Sequence, residues 1–260
     1  MIENSTLKLI DKRCSIRAYK STPLTQEEID AIIYAAVRAP TAGNMMHYSI
    51  LIVKSQIKKD KLIKTCDNQP MIGKAPLVLI FLADMQRLYD FYKASGAEKY
   101  SKEQNTEYKK PKESDLMLAS CDALIAAQNA VIAAESMGIG SCYVGDMMEN
   151  IEIHREMFNL PRWVFPITLL CFGYPKGENP KRRERFDKKF ICFTDTYKRF
   201  SEEEFKEMFA HLEPHPMIAG ANYPKNATNF GQALYIRKTG SDFSKEMERS
   251  VRVAVKDWCE

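Results

Sequence analysis

The stretch Asp115–Gly140, DLMLASCDALIAAQNAVIAAESMGIG, decides how the rest of the chain is read. Its length and its many alanines are those of a helix. Apolar residues cover most of its circumference, which predicts a helix central in a core. The segment Leu116–Gly138 is the most apolar in the chain, yet Asp122, Gln128, Asn129 and Glu135 interrupt it. A lipid-facing helix seldom carries that many polar groups, so no membrane span is expected. Gly138 and Gly140 end the helix, as C-terminal glycines usually do. The expected element is a buried helix over Asp115–Met137 in a soluble protein.

Working outward, a first helix is expected over Thr6–Lys12. Thr25-Gln26-Glu27-Glu28 has the form of a capping box and opens a helix through Ile29, Ile32, Ile33 and Ala36. Ala39-Pro40-Thr41-Ala42-Gly43-Asn44 stops it. Tyr48–Val53 reads as a strand, Lys58–Thr65 as a short helix and Leu77–Leu82 as a fully buried strand. After the central helix come a strand at Ser141–Val144, a helix at Ile151–Phe158 and a strand at Trp163–Phe172. A Gly/Pro-rich loop then leads into Lys181-Arg182-Arg183-Glu184-Arg185. From Ser201 the chain is more polar, with helices expected near Glu202–Phe209 and Ser244–Trp258. The division expected is a core over residues 1–200 and a helical arm over residues 201–260, packed on that core or on a partner's.

With 260 residues, 45% hydrophobic and 28% charged, the chain can bury one large core or two small ones. A net charge of +4 without a basic block and interleaved aromatics gives no case for nucleic acid. Seven cysteines, an odd number with no CxxC, and four scattered histidines (His47, His154, His211 and His215) argue against a metal site and suit a reducing cytoplasm. Met1–Lys12 lacks the apolar core of a signal peptide. Walker, GxSxG, HExxH and GxGxxG motifs are all missing. If the protein is an enzyme, a bound cofactor is expected to carry the chemistry.

Four constellations remain. Arg13, Ser15 and Arg17 offer two planar donor forks and a hydroxyl that match phosphate oxygens, provided the backbone is extended there. Equally, two arginines at a helix end can simply complement its dipole in solvent. The basic run at Lys181–Arg185 is either a solvated loop or a source of further phosphate ligands. The small residues around Ala42 and Asn44 let a flat ligand approach the backbone, or form an ordinary turn. In Tyr143-Val144-Gly145-Asp146, Gly145 permits close approach and Asp146 can cap the next helix.

Taken together, these stretches fall into one known order. Arg13-Cys14-Ser15-Ile16-Arg17-Ala18-Tyr19, Pro23-Leu24-Thr25, Ala35-Ala36, Ala39–Asn44, Gln128–Gly140, Tyr143-Val144-Gly145 and Phe172-Gly173-Tyr174-Pro175 resemble the FMN-dependent nitroreductase superfamily. The nearest resemblance is to its oxygen-insensitive major nitroreductases and NADPH–flavin oxidoreductases. Ordered motifs cover residues 5–200, and the tail matches more loosely. The resemblance implies an α+β fold, a mostly antiparallel central sheet flanked by helices, with a C-terminal arm exchanged in a homodimer. It implies that Arg13, Ser15 and Arg17, with Arg183 and Arg185, hold the flavin phosphate. Cys14 departs from the usual bulkier or basic residue and contributes backbone at best. Ala42 and Asn44 would reach the flavin from the partner subunit, Gln69 would meet its ring, and Tyr143, Val144 and Gly145 would lie against it. Asp146 stands where close relatives often have glycine. Arg237 is the candidate for the nucleotide substrate.

The reaction this implies is ping-pong: NAD(P)H gives hydride to flavin N5, and a nitroaromatic, quinone or flavin then takes the electrons. No side-chain acid or base is required, and either NADPH or NADH is admissible. Flavin-fragmenting or dehalogenating activity within the same fold, a flavin-binding sensor without turnover, and a flavin-free nucleotide or RNA binder are the competing readings.

Overall fold

The computed structural model describes residues 2–178, 180, 182–212, 224 and 226–260. Asn179, Lys181 and His215 therefore lie outside the described residues. Four strands form one antiparallel sheet: β1 (Tyr48–Ile52), β2 (Leu77–Asp84), β3 (Gly140–Val144) and β4 (Val164–Gly173), in the order β1-β2-β4-β3. The helices around it are α1 (Ser5–Lys12), α2 (Gln26–Val37), α3 (Gln56–Thr65), α4 (Met71–Lys74), α5 (Gln86–Ala94), α6 (Ala97–Glu103), α7 (Glu113–Ser136) and α8 (Ile151–Phe158). This is the α+β architecture with a mostly antiparallel sheet that the sequence predicts.

The chain divides into two compact units, Met1–Arg182 with Glu246–Glu260, and Arg183–Lys245. In the first unit, β2 is buried at every position. Side chains alternate across a strand, so Leu77, Leu79 and Phe81 face α2 and α7, where they meet Ile32, Ala127 and Val131. Val78, Ile80 and Leu82 face the other way, onto Ile16, Leu62 and Ile72. Burial on both faces is why β2 reads as an unbroken apolar run. Opposite Phe81 and Leu82, β4 bulges at Ile167, next to Pro166, a residue with no N–H for the ladder.

α7 is, among the described residues, the one helix long and apolar enough to cross a membrane. Its alanines at 123, 126, 127, 130 and 134 are buried in the core cluster that holds α2 and one face of the sheet. Small side chains let the helix approach the sheet closely. Its outer side is also apolar: Met117, Leu118, Leu124 and Ile125 are exposed. The segment Glu246–Cys259 closes this unit, with Trp258 buried and the Trp163 indole donating to the Trp258 carbonyl (3.0 Å).

In the second unit, a capping box at Ser201 and Glu204 opens the helix Glu202–Phe209, and Asn229 caps the helix Phe230–Arg237. Its packing is aromatic: Phe209 lies 5.0 Å from Phe186 and 6.2 Å from Phe230, centroid to centroid.

The eighteen-residue stretch that carries α5 and α6 was not expected to be helical. Neither helix opens on a side-chain cap, and they are separated at Gly96, whose φ of 71° is left-handed. Short polar helices without caps leave little trace in a sequence.

Candidate functional site

The segment after α1 runs extended along β3. Arg13 leaves the helix with ψ of 130°, Ser15 bridges Ser141, and the Ile16 N–H donates to the Ser141 carbonyl (2.9 Å). The Tyr19 hydroxyl donates to the carbonyls of Ile16 (2.6 Å) and Cys171 (3.3 Å), which ties the segment across to β4. Gly140 is required beneath it: a Cβ there would sit 2.4 Å from the Ile16 side chain. With Ile16 and Tyr19 buried, Arg13, Cys14 and Ser15 are half-buried and Arg17 is exposed.

Arg13, Ser15 and Arg17 converge near the Cys142 thiol. Burial pushes that thiol up, against the pull of Arg17, a hydrogen bond with the Ser15 hydroxyl, and Arg13. Neither arginine forms an ion pair with a described residue. Two uncommitted guanidinium groups and a hydroxyl, held by backbone bonds on one edge, can receive an anion with several oxygens. Cys14 packs against the core, and burial followed by Glu135 raises its thiol, so it stays neutral.

Past the other end of β3 lies a different group. Val144 is buried, so only its backbone can face a ligand, while Gly145 is exposed and a Cβ there would meet nothing within 4 Å. The Tyr143 ring is half-buried, its hydroxyl donates to Gln128 (3.2 Å), and burial pushes it up to about 12. The Gln69 amide donates to Asp146 across 77 positions. Asp146 in turn is within hydrogen-bonding reach of buried Glu149. Glu149 was not singled out from the sequence.

The loop carrying Ala42 and Asn44 is held elsewhere. Asp122, buried on α7, accepts from the Ala42 N–H (3.0 Å) and the His47 N–H (3.3 Å), and His47 Nδ1 lies 3.2 Å from it. Gly43 and Asn44 take left-handed φ of 56°, and Asn44 is exposed. Arg13 acts on Glu135, at the far end of α7. Asp122 and Glu135 are 13 positions apart in that helix, which is about 20 Å of axis. One chain therefore does not bring Ala42 and Asn44 to Arg13.

In the second unit, Arg183 and Arg185 are exposed, the Arg185 guanidinium donating only to nearby carbonyls (3.3 and 3.4 Å). Arg237 is half-buried in the last turn of its helix. Arg182, in the first unit, is paired with Asp11.

The fold is an antiparallel α+β one, with an anion-receptive segment along one strand and an amide–carboxyl group past that strand's end. The model of the nitroreductase family matches residues 10–174, more than half of the chain, and the chain belongs to that family. It is 33% identical over 194 residues to an FMN reductase (NADPH) of Bacillus subtilis, covering 75% of each chain. It is 27% identical over 217 residues to an oxygen-insensitive NADPH nitroreductase of Salmonella typhimurium, covering 84% of this chain and 85% of that one. The solved NfrA1 nitroreductase of B. subtilis superposes with a TM-score of 0.78 at 25% identity, over 96% of this chain and 98% of the other.

Proposed function

We propose that the protein is an FMN-dependent oxidoreductase that takes hydride from NADPH or NADH and reduces a nitroaromatic, a quinone or a flavin in a ping-pong cycle. The observation that carries this reading is the pair of unpaired arginines at the Ser15 hydroxyl, fixed along β3 by the Ile16–Ser141 bond. The names of the relatives, FMN reductase and NADPH nitroreductase, support the same cofactor and reductant. Bound FMN supplies a ring that accepts a hydride and hands its electrons on.

The chain's own residues do the rest. Arg13, Ser15 and Arg17 bind the phosphate, Cys14 lending backbone only. Five residues of β3 span about 15 Å, so a ligand anchored at its Ser141 end reaches Gly145 with its far part. There the bare Gly145 backbone, next to Tyr143 and Val144, leaves room for a flat ring, and Gln69 offers it an amide. Arg183 and Arg185 are further phosphate ligands, and Arg237 binds the nucleotide substrate, as the family resemblance implies.

The working unit is a homodimer. The exposed apolar side of α7 (Met117, Leu118, Leu124 and Ile125) and exposed Tyr34 and Val37 of α2 suit a second copy. The 20 Å separation along α7 also makes a partner the natural source of Ala42 and Asn44. The C-terminal arm is exchanged in that dimer, and the protein works in the cytoplasm. Anaerobic mixing tests the activity: FMN-loaded protein should bleach with NADPH or NADH and recolour with a quinone. Flavin that stays bound but is reduced no faster than free FMN would make this a binding protein instead.

A further inference from the structure

Resting on that reading, we propose that Asp146 is a positioning residue: backed by Glu149, it fixes the Gln69 amide so that the carbonyl oxygen is the group Gln69 presents to a ligand. A glutamine amide is ambiguous by itself, since one end donates and the other accepts. A carboxylate partner removes the ambiguity, because only the NH2 end can face it. The Gln69 Nε2 donates to Asp146 Oδ2, and among the described residues no donor reaches the side-chain oxygen Oε1 of Gln69. That oxygen suits a ring carrying an N–H, such as the imide edge of a flavin.

Beside Asp146 stands a second carboxyl, that of Glu149. Glu149 is 5% exposed, and its Oε1 has no hydrogen-bond partner among the described residues. Burial, then Asp146 and Asp67, push its carboxyl up to about 8. At neutral pH Glu149 therefore carries its proton and, in hydrogen-bonding reach of Asp146, can donate to it, so that Asp146 accepts from both neighbours. The other charged or titratable groups facing Glu149 are Glu246, which is paired with Arg249, and the neighbouring Cys66 thiol, which burial raises. Among the described residues, no cation faces Glu149 closely enough to offset the acids. Above about pH 8 Glu149 loses its proton, the new charge repels the Asp146 carboxyl, and the Gln69 anchor loosens. Asp67, Asp146 and Glu149 come from two separate stretches of the chain, so the arrangement depends on the fold.

The test begins on flavin-free protein. Side-chain amide NMR signals of Gln69, assigned with a Gln69→Leu variant, should shift with an inflection near pH 8 in the parent and lose it in Glu149→Gln. FMN binding, followed by flavin fluorescence quenching, should weaken along the same limb in the parent. Glu149→Gln, which keeps a donor at every pH, should hold the affinity constant across that limb. Asp146→Ala should bind about fivefold to tenfold more weakly below pH 8, and Asp146→Asn, which keeps an acceptor, should restore the parental value within about twofold. An alkaline limb unchanged in Glu149→Gln, or Gln69 signals unchanged in Asp146→Ala, overturns the proposal. A parent that binds no FMN at any pH defeats the functional reading, and the flavin-free NMR titration then decides this proposal by itself.

Discussion

The two flanks of β3 differ in how they handle charge. Beside Ser141, Arg13 and Arg17 have no partner among the described residues and are held in place through the backbone of Ser15 and Ile16. Past Val144, Gln69 donates to Asp146, and burial keeps the proton on the neighbouring Glu149. One flank waits for an external anion, while the other is balanced internally and sensitive to pH. The first should therefore respond to ligand and salt, and the second to protons. A single five-residue strand is enough to separate a phosphate anchor from a ring site.

Removing the cationic flank should have the largest effect. The double variant Arg13→Ala/Arg17→Ala should weaken FMN binding about 100-fold or more, as expected for losing two charge-assisted contacts. It should also flatten the salt dependence of binding, read by calorimetry at several ionic strengths. Its unfolding midpoint should match the parent, because neither arginine forms an ion pair with a described residue.

The acidic flank should carry the pH dependence of stability. His154 is fully buried, bonded to the Met147 carbonyl and the Thr65 hydroxyl, and burial lowers it to about 4. The unfolded chain takes up this proton first, so stability present above about pH 6.5 should be lost as pH falls toward 4, on the order of 3 kcal/mol. Glu149 acts oppositely. Its raised carboxyl favours the folded chain at low pH, and that contribution is lost as pH rises from the ordinary carboxyl range through about 8. Denaturant unfolding across pH should show a decline between the ordinary carboxyl range and about pH 8 that Glu149→Gln flattens. A decline in that window that survives in Glu149→Gln would remove Glu149 as its cause.

The two glycines that bracket the strand sharpen the contrast. Gly140→Ala drives a Cβ into Ile16 and should cost about 1–3 kcal/mol by overpacking, with FMN binding falling because the arginine segment moves. Gly145→Ala meets no atom of the chain within 4 Å, so its stability should change by less than about 0.5 kcal/mol. It should still slow reduction by NADPH, since the methyl occupies the space of the ring. A Gly145→Ala protein reduced at the parental rate would move the ring site away from this end of β3.

Much of the scaffold was legible. The length and apolar circumference of α7, the Thr25–Glu28 capping box and the unbroken apolar run of β2 are local signals, and local physics decides them. The polar groups inside α7 were harder. Asp122 reads as an interruption in an alanine-rich helix, whereas it is the buried acceptor that holds the Ala42–His47 loop. No local pattern distinguishes the two. The arginine segment was visible as a chemical possibility, but its fixing along β3 depends on Ile16 packing over Gly140, 124 positions away. Gln69 and Asp146 were each singled out for separate reasons, and their bond is set by the fold alone. Glu149 gave no signal, since a lone glutamate before a helix is ordinarily a solvated residue.

The account turns on whether Arg13, Ser15 and Arg17 hold the phosphate of a flavin. The most direct measurement is a fluorescence titration of the flavin-free protein with FMN and with riboflavin, in parent and in Arg13→Ala/Arg17→Ala. The prediction is that the parent prefers FMN strongly over riboflavin and that the variant binds the two about equally. A parent that does not distinguish them, or a variant that keeps the full preference, would contradict it.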